Sequence, residues 1–162
     1  MQREQGISVS EAQKKLEHFC AYQERCHQEV VRKLKQMGMI PTAIDHIVGH
    51  LITNNYLNET RYAQSFARGK FRIKKWGKQR IVHELKGREI SHINIKLALK
   101  EIPETDYQET IVALGQKFWN THSHRSLTIR KKKVVDALRY RGWESDLIYK
   151  TLRTLEGKLQ SN

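Results

Sequence analysis

Apolar residues recur three and four positions apart along almost the whole chain, and no alternating valine-rich run interrupts them. That spacing is the helical period, so the pattern predicts an all-α protein. Ser10-Glu11-Ala12-Gln13 fits a capping box, and the helix it opens carries Leu16, Phe19 and Cys20, extended by Gln23, on one face. A break is expected near residues 25–27. A second helix holds Val30, Val31 and Leu34 and ends at Gly38. Pro41 suits the first position of a third helix, which shows Ile44, Ile47, Val48 and Leu51. Farther on, Asn58 can cap a helix with Glu59 in its first turn. Tyr62, Phe66, Gly69 and Ile73 follow at helical spacing beside Ala63 and Ala67, until Trp76-Gly77 breaks the run.

The same pattern repeats. EVVRKLKQMGMI from Glu29, RIVHELKGREIS from Arg80 and KVVDALRYRGWE from Lys133 each set an aliphatic pair before a leucine, and Leu34, Leu85 and Leu138 fall 51 and 53 residues apart. Five positions after each leucine stand Met39, Ile90 and Trp143, and ten after stand Ile44, Ile95 and Ile148. Fourteen after come Val48, Leu99 and Leu152, and seventeen after come Leu51, Ile102 and Leu155. Such agreement without a gap implies three units of three helices: 10–57, 58–103 and 104–158, with a polar leader 1–9 and a tail 159–162. Pro103 punctuates the second boundary, and Thr105 or Asp106 can cap the helix after it. The second and third helices of each unit meet at a short turn, in outline a helix-turn-helix. Unit 3 departs by a polar insertion near 120–126, after which Arg130-Lys131-Lys132-Lys133 is expected to open its second helix. A module of this size buries little apolar area alone, so contacts between neighbours should matter.

Composition adds a partner class. The 162 residues carry 30 Lys and Arg against 17 Asp and Glu, a net charge of +13 with pI near 9.9. Such an excess points to nucleic acid, an acidic protein surface or an anionic membrane. Residues 58–103 hold twelve of the cations against four acids, and the other two units are closer to balance. No run is long and apolar enough to span a bilayer, and the first thirty residues show no apolar signal core, so a cytoplasmic protein is expected. Cys20 and Cys26, the only cysteines, would diverge by about 240° on one helix and so read as free thiols. His122 and His124 lack flanking ligands and read as a loop pair, so no metal or other cofactor is expected.

The charge peaks between Arg68 and Arg80, where seven cations stand in thirteen residues without an acid. The candidate binding residues there are Arg68, Lys70, Arg72, Lys74, Lys75, Lys78 and Arg80, with Arg61 about two turns upstream and Arg130, Lys131, Lys132 and Lys133 in unit 3. Arg61, Arg68, Arg72 and Lys75 share one helical stripe. That stripe meets either a polyanion or only water; mutual repulsion among so many like charges favours the polyanion. The cluster at residues 130–133 opposes a helix dipole if it opens a helix, so it either sits in solvent or holds an anion.

Tyr56-Leu57-Asn58-Glu59-Thr60-Arg61-Tyr62-Ala63, Ser65-Phe66-Ala67-Arg68, Gly77-Lys78-Gln79-Arg80-Ile81 and Glu84-Leu85-Lys86 together resemble the signature of the RecX family. Arg88-Glu89-Ile90 stands where that signature ends in Lys-Gly-Ile, so a non-glycine must serve the turn. The resemblance covers about residues 10–158 and implies tandem three-helix units in an elongated, curved array. It also implies a non-catalytic, cytoplasmic regulator that binds the RecA recombinase and its nucleoprotein filament. Such a regulator suppresses filament growth, strand exchange and ATP hydrolysis. Contact with single- or double-stranded DNA without sequence reading is expected, with no membrane partner and a monomeric state.

Two other classes fit less well. A free-standing helix-turn-helix DNA reader would place Arg, Asn or Gln at the start of a recognition helix, and only Asn94 qualifies. A metal-dependent nuclease needs clustered carboxylates, whereas Glu59, Glu84, Glu89 and Glu101 are dispersed. Glu84 pairs more naturally with Arg80 or Arg88, one turn away on either side.

Overall fold

A computed structural model describes residues 6–161, and these form nine α-helices and no strand. The first triplet is α1 (Val9–Tyr22), α2 (His27–Gln36) and α3 (Pro41–Thr53). The second is α4 (Glu59–Lys74), α5 (Lys78–Gly87) and α6 (His92–Leu99), and the third is α7 (Glu104–Thr121), α8 (Leu127–Tyr140) and α9 (Ser145–Gln160). Helices pack chiefly within their own triplet. The chain is therefore a series of tandem three-helix repeats.

The repeat positions are core positions. Leu34, Leu85 and Leu138 are fully buried, as are Val30, Ile81 and Val134 one turn before them. Ile44, Ile95 and Ile148, on the third helix of each triplet, are buried in the same cores, as are Leu51, Ile102 and Leu155. The turn between these helices is built the same way three times. Gly38, Glu89 and Gly142 all lie in the left-handed region, at φ +80, +59 and +86. The following residue donates its N–H back to the repeat leucine: Met39 to Leu34 at 3.1 Å, Ile90 to Leu85 at 3.1 Å and Trp143 to Leu138 at 3.2 Å. This is a Schellman closure, which satisfies carbonyls that a helix end leaves bare. Glu89 does serve the turn that glycine serves elsewhere.

Burial is shared unequally. The first triplet has a core of its own around Leu16, Leu34, Ile47 and Leu51. The second and third share one, running from Tyr62 and Phe71 through Tyr107 to Trp143 and Leu155. Between them the link Lys75–Gly77 is capped by the neighbouring triplet. α5 has no side-chain N-cap. Instead Gly77 N–H donates to Arg141 O at 2.8 Å, Gln79 N–H to Gly142 O at 3.1 Å and Lys78 N–H to the Tyr107 hydroxyl at 2.8 Å. Trp143 Nε1 donates to Lys75 O at 3.1 Å, closing the end of α4.

Several expected details differ. α1 is capped by Ser8, whose Oγ accepts from Glu11 N–H at 3.1 Å, not by Ser10. The earlier start lets Ile7 pack on the core that contains Ala12, a hydrophobic staple. Val9 is thus helical rather than part of a leader, and residues 1–5 of that leader lie outside the described residues, as does Asn162 of the tail. Gln23 is exposed. Ile73 is 78% exposed, and Phe71 is buried in its place because it stacks on Tyr107 of α7 at 6.0 Å between ring centroids. The third triplet supplies that surface, so the stripe of α4 alone could not locate it. Pro103 itself occupies the N-cap of α7, with Glu104 already helical, because its fixed φ leads directly into the first turn. Residues 120–126 lengthen α7 and leave only a short turn before α8. Cys20 and Cys26 are free and buried, but on separate elements, since Cys26 is the N-cap of α2.

Candidate nucleic-acid interface

α4 carries most of the candidate cations. Asn58 starts it, its Oδ1 accepting from Arg61 N–H at 2.9 Å. It stops at Lys74, where Lys75 turns left-handed at φ 58. Arg61 is only partly exposed on this helix. Its Nε donates to Glu24 Oε1 at 2.6 Å, and its Nη groups reach Asn55 Oδ1 at 3.1 Å, Asn55 O at 3.0 Å and Tyr56 O at 3.3 Å. It therefore ties the first triplet to the second. Arg68 pairs with Glu101 at 3.3 Å, on the link that follows α6. The expected stripe of Arg61, Arg68, Arg72 and Lys75 is thus divided, because acids distant in sequence fold back onto its first two members.

The rest of the cluster separates likewise. Lys78 reaches Glu104 at 3.4 Å and lies 4.4 Å from the Tyr107 ring. Lys70 faces the rings of Phe66 and Trp76, and Arg80 those of Trp76 and Tyr140. Arg72, Lys74 and Lys75 are exposed and, among the described residues, make no ion pair. Arg72 and Lys75 line a groove between α4 and α7 that Asp106 and Glu109 also enter.

The run at residues 130–133 does not open α8. Ser126 caps that helix, its Oγ accepting from Ile129 N–H at 3.4 Å, so the cations begin one turn in and the dipole conflict is relieved. Arg130 donates to Trp119 O at 2.8 Å with its guanidinium 3.9 Å from that ring. Lys131 pairs with Glu156, and Lys132 with Asp136 at 2.6 Å, while Lys133 is exposed and, among the described residues, makes no ion pair. Arg130 and Lys131 tie α8 to α7 and α9, and Lys132 pairs within α8.

Two carboxylates and one amide have structural partners. Asn94 Nδ2 donates to Glu59 Oε2 at 2.5 Å, and its Oδ1 accepts from Thr60 Oγ1 at 2.7 Å, which occupies the side chain that could have read a base. Burial works against the charged form of Glu59, but hydrogen bonds from Asn94 and Ser91 prevail and hold its carboxyl below the usual value. A hydrogen bond from Arg88 Nη1 at 2.8 Å holds Glu84 low as well, deciding the pairing in favour of Arg88 over Arg80. Desolvation pushes the Tyr107 hydroxyl far up, so it stays a protonated donor to Glu144 at 2.7 Å. The Tyr140 ring and Arg80, 60 positions apart, meet only through the fold, so their contact was not legible in the sequence.

These features define an all-helical protein of tandem three-helix repeats whose second repeat carries unpaired surface cations. The chain matches the family models for the second three-helix domain of RecX over residues 58–99 and for the third over residues 104–152. A regulatory protein RecX of Pseudomonas savastanoi pv. phaseolicola is 31% identical over 76% of this chain and 78% of its own length. One of Bacillus cytotoxicus is 25% identical over 85% of this chain. The chain spans 51% of that longer relative. The crystal structure of RecX from Lactobacillus salivarius superposes with a TM-score of 0.80 at 25% identity, covering 91% of this chain and 96% of that one. The chain belongs to the RecX family, a family of regulatory proteins.

Proposed function

We propose that this protein regulates the RecA recombinase by binding RecA and its nucleoprotein filament in the cytoplasm, suppressing filament growth, strand exchange and ATP hydrolysis without chemistry of its own. Membership of the RecX family supports the regulatory part. The observation that carries the mechanism is the exposed, unpaired set Arg72, Lys74 and Lys75 at the end of α4. Cations left free by a fold that has paired their neighbours suit phosphates or acidic protein surface, and phosphate contacts position a partner without reading sequence. The engagement of Asn94 by Glu59 and Thr60 speaks against a sequence-specific reader.

The test titrates the protein into RecA on single-stranded DNA with Mg²⁺ and follows ATP hydrolysis and DNA integrity. Falling hydrolysis with intact DNA is expected; an unchanged rate, or nicking by the pure protein, refutes the reading. Replacing Arg72, Lys74 and Lys75 by Gln should reduce the single-strand salt slope by about 2 if all three meet phosphate.

A further inference from the structure

Phe66 and Lys70 of α4, Trp76 of the link, Arg80 of α5, Arg88 at the C-cap of α5 and Tyr140 of α8 form one continuous alternation of cations and rings. The Arg88 guanidinium lies 4.8 Å from the Phe66 ring, and Lys70 Nζ lies 5.5 Å from Phe66 and 5.0 Å from Trp76. The Arg80 guanidinium follows at 4.2 Å from Trp76 and 4.9 Å from Tyr140. Phe66 and Trp76 meet edge to face at 6.2 Å. The alternation is exposed at one end: Trp76 is half-buried, and Tyr140 is 73% exposed. Arg80 is anchored beneath it, its Nη1 donating to Tyr140 O at 3.1 Å.

A tyrosine so exposed gains little from the core, and its ring lies beside the Arg80 guanidinium. Solvated rings held beside fixed guanidinium and ammonium groups match a ligand that has both π faces and negative charge. Unpaired bases of a single-stranded nucleic acid supply both, stacking on rings while the adjoining phosphates meet cations. Lys74 and Lys75, exposed and without an ion pair among the described residues, directly precede Trp76 in the chain. An acidic peptide would satisfy the cations and leave the rings unused.

We infer that Tyr140, Arg80 and Trp76 form a base-stacking site for single-stranded nucleic acid. The inference rests on the reading that this protein meets DNA, and it adds that bases, as well as phosphates, contribute to binding.

The experiment measures binding of the full chain to an oligo-dT and to an abasic oligonucleotide of equal phosphate count, alongside Trp76 fluorescence. Trp119 and Trp143 are buried, so quenching reports on Trp76. Oligo-dT is expected to bind on the order of tenfold tighter than the abasic strand, the ratio one stacked base confers, and to quench the emission. Tyr140→Ala should reduce that ratio toward one, and Tyr140→Phe should preserve it. Equal affinity for both strands in the native chain, or a ratio indifferent to Tyr140→Ala, overturns the stacking site and leaves phosphate binding intact. Binding of neither strand overturns the DNA reading as well. Quenching by poly-glutamate but not by oligo-dT overturns the site in favour of an acidic protein surface.

Discussion

The three left-handed turns offer a graded test of how the second and third triplets hold each other. At Gly38, a β-carbon would meet nothing within 4 Å, so Gly38→Ala pays only for the left-handed backbone at φ +80, about 1 kcal/mol. Gly142→Ala carries the same backbone cost at φ +86, and its β-carbon would also lie 2.8 Å from Arg80 Cα and closer still to the Arg80 nitrogen. Relief requires α5 to move off the α8–α9 turn. That lengthens the Gln79 N–H···Gly142 O and Gly77 N–H···Arg141 O bonds, on which the uncapped start of α5 depends. Overpacking of this kind costs about 1–3 kcal/mol, so Gly142→Ala should lose about 3 kcal/mol in all. Gly77→Ala isolates the steric part, since Gly77 has an ordinary φ of −76 but its β-carbon would lie 2.6 Å from Trp143 N. A loss of about 2 kcal/mol is expected there. Glu89→Gly relieves strain at φ +59 but loosens the unfolded chain, for a net gain of about 0.5 kcal/mol. Urea unfolding followed by circular dichroism, which reads all three triplets, orders the four variants. The reasoning fails if Gly142→Ala and Gly38→Ala destabilise equally, because α5 would then not depend on the neighbouring turn.

Two further outcomes follow from the ion pairs. Arg61→Ala should destabilise by about 1–3 kcal/mol, since it strips hydrogen bonds from Glu24, Asn55 and Tyr56. It should leave the salt slope of DNA binding unchanged, and a slope that drops would return Arg61 to the binding surface. Glu84 has a folded carboxyl held below its ordinary value of 4.5, chiefly by the Arg88 hydrogen bond. Its stabilising contribution is therefore full above about pH 4.5 and disappears as the pH falls through the lower folded value. Acid unfolding of Glu84→Gln should accordingly show a shallower pH dependence in that window, and an identical titration would mean the pair adds nothing.

Helix type, the threefold repeat and the core faces were legible from residue order, because the helical period and the recurrence of Leu34, Leu85 and Leu138 are local facts. That a non-glycine serves the turn at Glu89 was legible only through the resemblance to the RecX signature, which has Lys-Gly-Ile there. Tertiary structure decided what each polar group and each boundary residue does. Ile73 lies open and Phe71 is covered because a ring from α7 reaches one face of α4. Arg61 and Arg68 are paired because Glu24 and Glu101 reach them only through the fold, whereas Arg72, Lys74 and Lys75 make no ion pair among the described residues. A charge announces itself in sequence, but its partner is chosen in three dimensions, so residue order showed where cations are dense and only packing showed which of them remain free.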